Sequence, residues 1–199
     1  MQKRVGNISL PAFLMLKLTK KGDDMLRQKR LMTPLGPITA ASDGTALTGL
    51  WFGDQQYYGS TLPEATPTGD LPVFTQLADW LTAYFAGENP TVTFPVRPTG
   101  TALREAVWSV LRTIPYGEVR TYGELATAVT PIIGHNPGAR AMGNAVGHNP
   151  ISLVIPCHRV IGQTGELIGY AGGLNRKKTL LRLEGCLSAT SDRVVLEKN

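Results

Sequence analysis

Cysteine is scarce in this chain of 199 residues, which carries only Cys157 and Cys186. Two thiols cannot build a disulfide scaffold or a four-cysteine zinc site, and free thiols suit a cytoplasmic protein. Charge is also sparse: 18% of residues are charged and 42% are apolar. That composition supports a packed core and excludes wholesale disorder. No apolar run is long enough to cross a bilayer, so no membrane partner is expected. The stretch from Ile8 to Leu18 is broken by Pro11 and Lys17 and followed by Lys20-Lys21-Gly22-Asp23-Asp24 rather than by a small-residue cleavage site. Residues 1–24 therefore read as a loosely attached extension, neither signal peptide nor anchor. No P-loop occurs, and no Gly-x-Gly-x-x-Gly opens a helix after a strand, so no cofactor is expected. The net charge of +5 fits a phosphate-bearing partner, although many small proteins are as basic without one.

What is present divides the chain into an α/β unit over residues 25–98, a mainly helical unit over 99–187 and a tail over 188–199. Leu35 to Ala41 reads as a strand, Ser42-Asp43-Gly44 as a turn and Thr45 to Phe52 as the returning strand. Residues 55–70 form a loop. Val73, Leu77, Trp80, Leu81, Tyr84 and Phe85 mark one face of a helix that Gly87 closes. Pro90 to Val96 is expected as a short strand and Pro95 to Gly100 as the linker. Leu103, Val107, Val110, Leu111 and Ile114 space out the next helix. Thr121 and Glu124 form a capping box that opens a helix through Ala128, and Pro131 to Gly134 read as a turn. Asn136 caps a further helix, with Pro137 at its first position, that runs from Gly138 to about Val146 and ends at Gly147.

Two short helices joined by a turn suggest a helix-turn-helix, though any small helical domain can contain such a pair. The second helix carries Gly138, Ala139, Ala141, Gly143 and Ala145 around a single long side chain, Arg140. A major-groove reader carries several long polar side chains. This bare helix instead permits close backbone approach with one arginine projecting, or else tight packing on another helix.

The sharpest chemical feature is Pro156-Cys157-His158-Arg159-Val160, preceded by the apolar run Ile151 to Ile155, read as a strand. A cysteine beside a histidine is a candidate nucleophile, because the thiolate needs a base or a positive neighbour near neutral pH. The competing reading is a buried cysteine acting as a small hydrophobe.

These residues resemble the active-site motif of the O6-alkylguanine-DNA alkyltransferases, and the motif has company. Asn149-Pro150 stands before it, and Gly169-Tyr170-Ala171-Gly172-Gly173 resembles the family's glycine loop. Leu183-Glu184-Gly185 resembles its closing segment, and Tyr122 and Arg140 fall at the positions of its tyrosine and arginine. The likeness runs from about Thr101 to Gly185, and Thr33-Pro34-Leu35-Gly36 is similar to the start of the bacterial members' first domain.

The resemblance implies an RNase H-like first domain and a second domain with a winged-helix-like helix-turn-helix. It implies a monomer that acts on double-stranded DNA carrying alkylated bases and uses no cofactor. Cys157 would take the alkyl group, Glu184 would orient His158, and His158 would act on Cys157 through water. Tyr122 would help protonate the leaving guanine and rotate the 3′ phosphate. Arg140 would fill the gap left by the extruded nucleotide. Ala139, Gly143 and Lys177 would contact DNA. Asn149 would brace the active-site turn, while Val160, Tyr170 and Ala171 would line the guanine pocket. Arg176, Lys178 and Arg182 are further candidates for phosphate contact.

Three departures stand out: an apparent insertion at Thr130-Pro131-Ile132-Ile133, Ala171 where some members have serine, and a first domain without the cysteines and histidines that bind zinc in some members. No metal is therefore expected. Three rivals differ in chemistry. A lesion sensor of this family lacks the nucleophilic cysteine, a transcription regulator would need a better furnished reading helix, and a cysteine hydrolase would turn over repeatedly.

Overall fold

The structure, a computed structural model, describes residues 25–196. The extension expected over residues 1–24 lies outside that range. The first unit is an antiparallel sheet of β1 (Arg27–Thr33), β2 (Gly36–Ser42) and β3 (Leu47–Phe52), in that spatial order, followed by α1 (Pro72–Phe85). The 25–98 reading did not anticipate β1. Its Arg27-Gln28-Lys29-Arg30 start is polar, because an edge strand exposes one side and shows no apolar alternation. Its pairing with β2, from Arg27 opposite Ser42 to Thr33 opposite Gly36, places Pro34 and Leu35 in the hairpin turn. Leu35 therefore precedes β2 rather than starting it. The expected strand over Pro90–Val96 reduces to a single bridge between Val96 and Leu47. Pro90 and Pro95 have no N–H to give a ladder.

The second unit contains α2 (Ala102–Leu111), β4 (Arg120–Thr121), α3 (Tyr122–Ile133), α4 (Gly138–Gly147), β5 (Val160–Ile161) and α5 (Leu174–Leu183), with β4 and β5 paired in parallel. The capping box closes reciprocally. Thr121 Oγ1 accepts from Glu124 N at 3.2 Å, and Glu124 Oε2 accepts from Thr121 N at 2.7 Å. The turn read at Pro131–Gly134 is a further stretch of α3. Pro131 forfeits one backbone bond inside the helix, yet Leu125, Ala126 and Val129 bury its inner face and hold it together. Gly134, at φ 81°, ends α3 by giving its N–H to Thr130 O at 2.8 Å. The N-cap of α4 is Pro137, not Asn136 as the sequence suggests; Asn136 stands one residue before it, and its Oδ1 accepts from Gly138 N at 2.9 Å. Gly147 is the last residue of α4, and the non-left-handed His148 follows it as the C-cap.

One hydrophobic core runs through both units, from Ile38 and Leu50 in the sheet through Trp108 in α2 to Leu180 in α5. A smaller cluster of Ile161, Leu167, Leu181, Leu187 and Val194 shows that the segment after residue 187 packs back on the second unit. Val194 N donates to Gly165 O at 2.9 Å.

Candidate active site

The apolar run leading to Cys157 is not a strand. Leu50 N donates to Pro150 O at 2.8 Å and Ser152 N to Leu50 O at 2.9 Å, which docks the segment on β3. The chain then turns. Leu153 sits at φ 70°, Ile155 N bonds Ile151 O at 2.9 Å and Cys157 N bonds Ile155 O at 2.8 Å. Cys157–Arg159 form one 3-10 turn. A strand would have thrown Cys157 and His158 to opposite faces. The turn buries both, at 3% and 0% exposure.

Asn149 organises this turn with both polar atoms of its side chain. Its Oδ1 accepts from Ile151 N at 3.0 Å, and its Nδ2 donates to Ile155 O at 2.7 Å and to Cys157 Sγ at 3.0 Å. A donor aimed at the sulfur favours thiolate over thiol. Burial is nevertheless the largest influence and pushes the Cys157 thiol above its ordinary value. The Asn149 bond and the nearby Lys177 charge pull against it. At rest the sulfur therefore holds its proton.

The groups around Glu184 decide the tautomer of His158. Glu184 Oε1 lies 2.8 Å from His158 Nε2, 2.5 Å from Tyr84 Oη and 3.0 Å from Arg159 Nη2, while Oε2 accepts from Arg159 Nε at 2.8 Å. Burial alone would raise the carboxyl. The hydrogen bonds from His158 and Arg159, with the guanidinium charge, overcome it and hold Glu184 at about 2. The carboxylate is ionised, so His158 Nε2 carries a hydrogen toward it. Burial drives the His158 pKa down despite Glu184, so the ring is neutral near pH 7. The proton is then on Nε2, and Nδ1 presents a bare lone pair. That buried nitrogen has no partner among the described residues. Glu184, with Tyr84 3.5 Å from Nε2, holds the ring in the tautomer that leaves Nδ1 free to accept a proton.

Lys177 lies where a DNA contact cannot use it. It is fully buried, and its Nζ donates to the carbonyls of Val160 and Ile168. The expected phosphate contact is therefore corrected: an ammonium tied to two interior carbonyls cannot reach solvent. Burial lowers Lys177 to about 8, with Cys157 drawing it back up. The other three candidates are also engaged within the protein. Arg176 binds the Leu35 carbonyl and Asp54, Lys178 pairs with Asp192, and Arg182 donates to Ser188 and Ser191 carbonyls.

A cavity of about 410 Å³ opens between α4 and the glycine loop, lined among others by Tyr122, Gly143, Tyr170 and Ala171. Tyr122 Oη donates to Gly169 O at 3.3 Å. Burial, then Cys157, raises Tyr122 to about 12, so its hydroxyl keeps a proton to give. A Cβ at Gly169, φ 55°, would stand 2.7 Å from that hydroxyl, which is why the loop needs glycine there. Tyr170 meets His158 edge-on at 6.4 Å. Asn149, Val160 and Cys157 are buried and do not line the cavity. On α4, Met142, Ala145 and Val146 face inward while Ala139, Arg140 and Gly143 are exposed.

The sequence reading missed Tyr84 and Arg159 as partners of Glu184, and Gln56, Tyr57 and His148 beside the cavity. Tyr84 looked like one more apolar position of α1. Arg159 carried a usable signal: a charge inside a buried motif requires a carboxylate.

A buried cysteine on a tight turn, a neutral histidine fixed by a carboxylate, and a helix pair over a nearby cavity have the parts of a cysteine-based transfer site. The 6-O-methylguanine DNA methyltransferase ribonuclease-like domain matches residues 26–98, and that protein's DNA binding domain matches residues 102–186. A Mycobacterium tuberculosis methylated-DNA–protein-cysteine methyltransferase is 45% identical over 161 residues, 80% of this chain and 93% of the relative. A crystal structure of Mycobacterium tuberculosis OGT in complex with DNA aligns with a TM-score of 0.68 at 43% identity, covering 79% of this chain and 92% of that one. An O6-methylguanine DNA methyltransferase from Methanococcus jannaschii shares the fold at a TM-score of 0.57 and 23% identity. The chain belongs to the 6-O-methylguanine DNA methyltransferase family.

Proposed function

We propose that Cys157 is the residue on which this chain carries out its family's reaction, repair of DNA by direct transfer of an alkyl group from O6-alkylguanine, and also from O4-alkylthymine, to a protein cysteine. The observation that carries the assignment is the sulfur itself: buried, receiving an Asn149 N–H at 3.0 Å, and followed on the same turn by the neutral His158. At Cys186 burial, then the negative Glu184, raises the thiol to about 11, and no donor like Asn149 reaches its sulfur among the described residues.

The O6 alkyl group is hidden inside a duplex, so the nucleotide must leave the stack to react. Arg140, the one long side chain among the exposed residues of α4 named above, fills the space it leaves, and Ala139 and Gly143 allow the helix close to the groove. His158 Nδ1 takes the thiol proton through a water. The Cys157 thiolate displaces the alkyl carbon in line, an S–C bond forms, and the C–O6 bond breaks with its electron pair going to guanine. Tyr122 gives one proton to the guanine and regains one from solvent, while the His158 imidazolium releases the thiol proton to solvent, so charge and protons balance. Asn149 braces the turn, Tyr170 and Ala171 hold the base, and the Val160 backbone supports the pocket from behind. A thioether has no hydrolytic exit, so each molecule reacts once. We further place the protein in the cytoplasm as a monomer bound to alkylated double-stranded DNA, without cofactor or metal. No helix among the described residues is long and apolar enough to cross a membrane.

Intact-mass analysis after incubation with duplex DNA carrying O6-methylguanine tests the assignment. One added methyl group located on Cys157 is expected. Unmodified protein, or a methyl on Cys186, would overturn it.

A further inference from the structure

The loop between β3 and α1 sends a side chain from the first unit to the cavity of the second. Tyr57 has φ 63°, in the left-handed region that side-chain-bearing residues rarely adopt. The backbone is pinned on both sides of it. Gln55 Oε1 accepts from Phe52 N at 2.9 Å and from Ser152 Oγ at 3.0 Å. Gln56 N donates to Ala171 O at 2.9 Å, and Tyr58 Oη bonds Thr39 Oγ1 at 2.9 Å. Strain of this kind persists only where the surroundings over-determine it, and it concentrates at ligand sites.

The strain sets a ring in place. Tyr57 lies on His148 with centroids 3.7 Å apart and planes 22° from parallel. α4 passes close beside the ring: a Cβ added to Gly147 would meet Tyr57 at an ordinary contact distance of 3.9 Å. His148 is fixed in turn, with Nδ1 donating to Asn144 O at 2.8 Å. Tyr57 nevertheless keeps 39% of its surface exposed, and it lines the same cavity as Tyr122, Tyr170 and Ala171.

We propose that Tyr57, buttressed by His148, is a substrate-binding residue: the outer wall of the base pocket, supplied by the first domain, against which the extruded alkylguanine stacks. The inference rests on the alkyl-transfer reading above. A planar heterocycle entering the cavity meets an aromatic face that is already ordered, so stacking there costs little further entropy. The first domain thereby takes part in substrate capture.

Glycine suits φ 63°, so Tyr57→Gly removes the ring without adding strain to the loop, and Tyr57→Phe keeps the ring. Single-turnover alkylation is followed by intact mass while the concentration of free O6-benzylguanine, and separately of duplex DNA with one O6-methylguanine, is varied. Tyr57→Gly is expected to raise the half-saturating concentration about tenfold on both substrates, within the range of one base–aromatic stack, and to leave the limiting rate unchanged. Tyr57→Phe is expected to behave as the unaltered protein. Unchanged half-saturation in Tyr57→Gly, a loss confined to the duplex, a fall in limiting rate alone, or equal damage in Tyr57→Phe would each overturn the wall. Failure of the underlying reading looks different, since the unaltered protein would then gain no alkyl group at Cys157.

Discussion

Replacing Glu184 with glutamine separates what the buried carboxylate does for the fold from what it does for the chemistry. Four donor atoms converge on its two oxygens: Tyr84 Oη, His158 Nε2, Arg159 Nε and Arg159 Nη2. Glutamine keeps the shape but offers one oxygen and turns an NH2 toward a donor. A buried guanidinium then loses its counter-charge, and breaking such a pair from one side costs about 3–5 kcal/mol. For a chain of this length each kcal/mol lowers the melting temperature by about 2–4 °C, so a drop of roughly 6–20 °C is expected. Methyl transfer, measured below the new melting temperature, should slow about a hundredfold or more, because His158 loses the partner that fixes its tautomer. The double variant Glu184→Gln/Arg159→Met removes both charges, which is close to neutral for stability. It should regain most of the lost melting temperature and none of the rate. The wild-type acid limb follows from the same group. Glu184 falls from an ordinary 4.5 to about 2 in the folded state. Its contribution is therefore complete above about pH 4.5 and is lost as the pH falls through 2. The drop corresponds to ~3 kcal/mol at about 1.4 kcal/mol per pKa unit. A Glu184→Gln protein that melts with the wild type, or transfers methyl at the wild-type rate, would refute the reasoning.

Cys157→Ser should abolish methyl transfer from labelled duplex DNA while lesion binding persists in a gel-shift titration; full transfer by this variant would remove Cys157 as acceptor. Arg140→Ala should slow repair of duplex DNA about tenfold, the equivalent of about 1.4 kcal/mol, and leave the reaction with free O6-benzylguanine unchanged. Equal slowing on both substrates would assign Arg140 to the fold instead. Lys177→Met leaves the Val160 and Ile168 carbonyls without their donor but also removes a buried charge, so urea unfolding should shift by less than about 2 kcal/mol. Its transfer rate should fall at least tenfold, because the thiolate loses the Lys177 charge that favours it; an unchanged rate would show that Lys177 only ties Val160 to Ile168.

Local signals in the sequence located most of the helices. The Thr121–Glu124 box and the face of α1 are short-range patterns whose physics is complete within a few residues. The failures all involve partners distant in sequence. Nothing near Arg27–Arg30 announces that this polar stretch pairs with Gly36–Ser42. The run Ile151–Ile155 looked like a strand because apolar burial was its only local feature, and docking against Leu50 is what turns it. Pro131 looked like a stop because its cost is local while the burial that repays it is not. Lys177 shows the same limit in the site: on a helix of basic residues its position gave no sign that this lysine, unlike its neighbours, faces two interior carbonyls. The site residues themselves were named from family likeness, but Tyr57 belongs to no motif and became visible only as a ring stacked on His148.

Taken together, the groups around the sulfur are arranged for a thiolate that the resting protein does not yet hold. Asn149 aims an N–H at Sγ, Lys177 sets a buried positive charge nearby, and His158 keeps a bare nitrogen ready for the proton. Burial outweighs these and keeps Cys157 protonated. For an enzyme that recycles, a nucleophile held mostly inactive would be a handicap. For an acceptor that reacts once, a thiolate spent on a stray oxidant or electrophile is a molecule lost, since exposed low-pKa thiols are the ones oxidised first. A protonated, enclosed sulfur with its stabilising donors already in position meets both demands. On the proposed alkyl-transfer reading it would stay inert until a base fills the cavity and the proton can leave, and little reorganisation of the protein would then be needed as negative charge develops on sulfur.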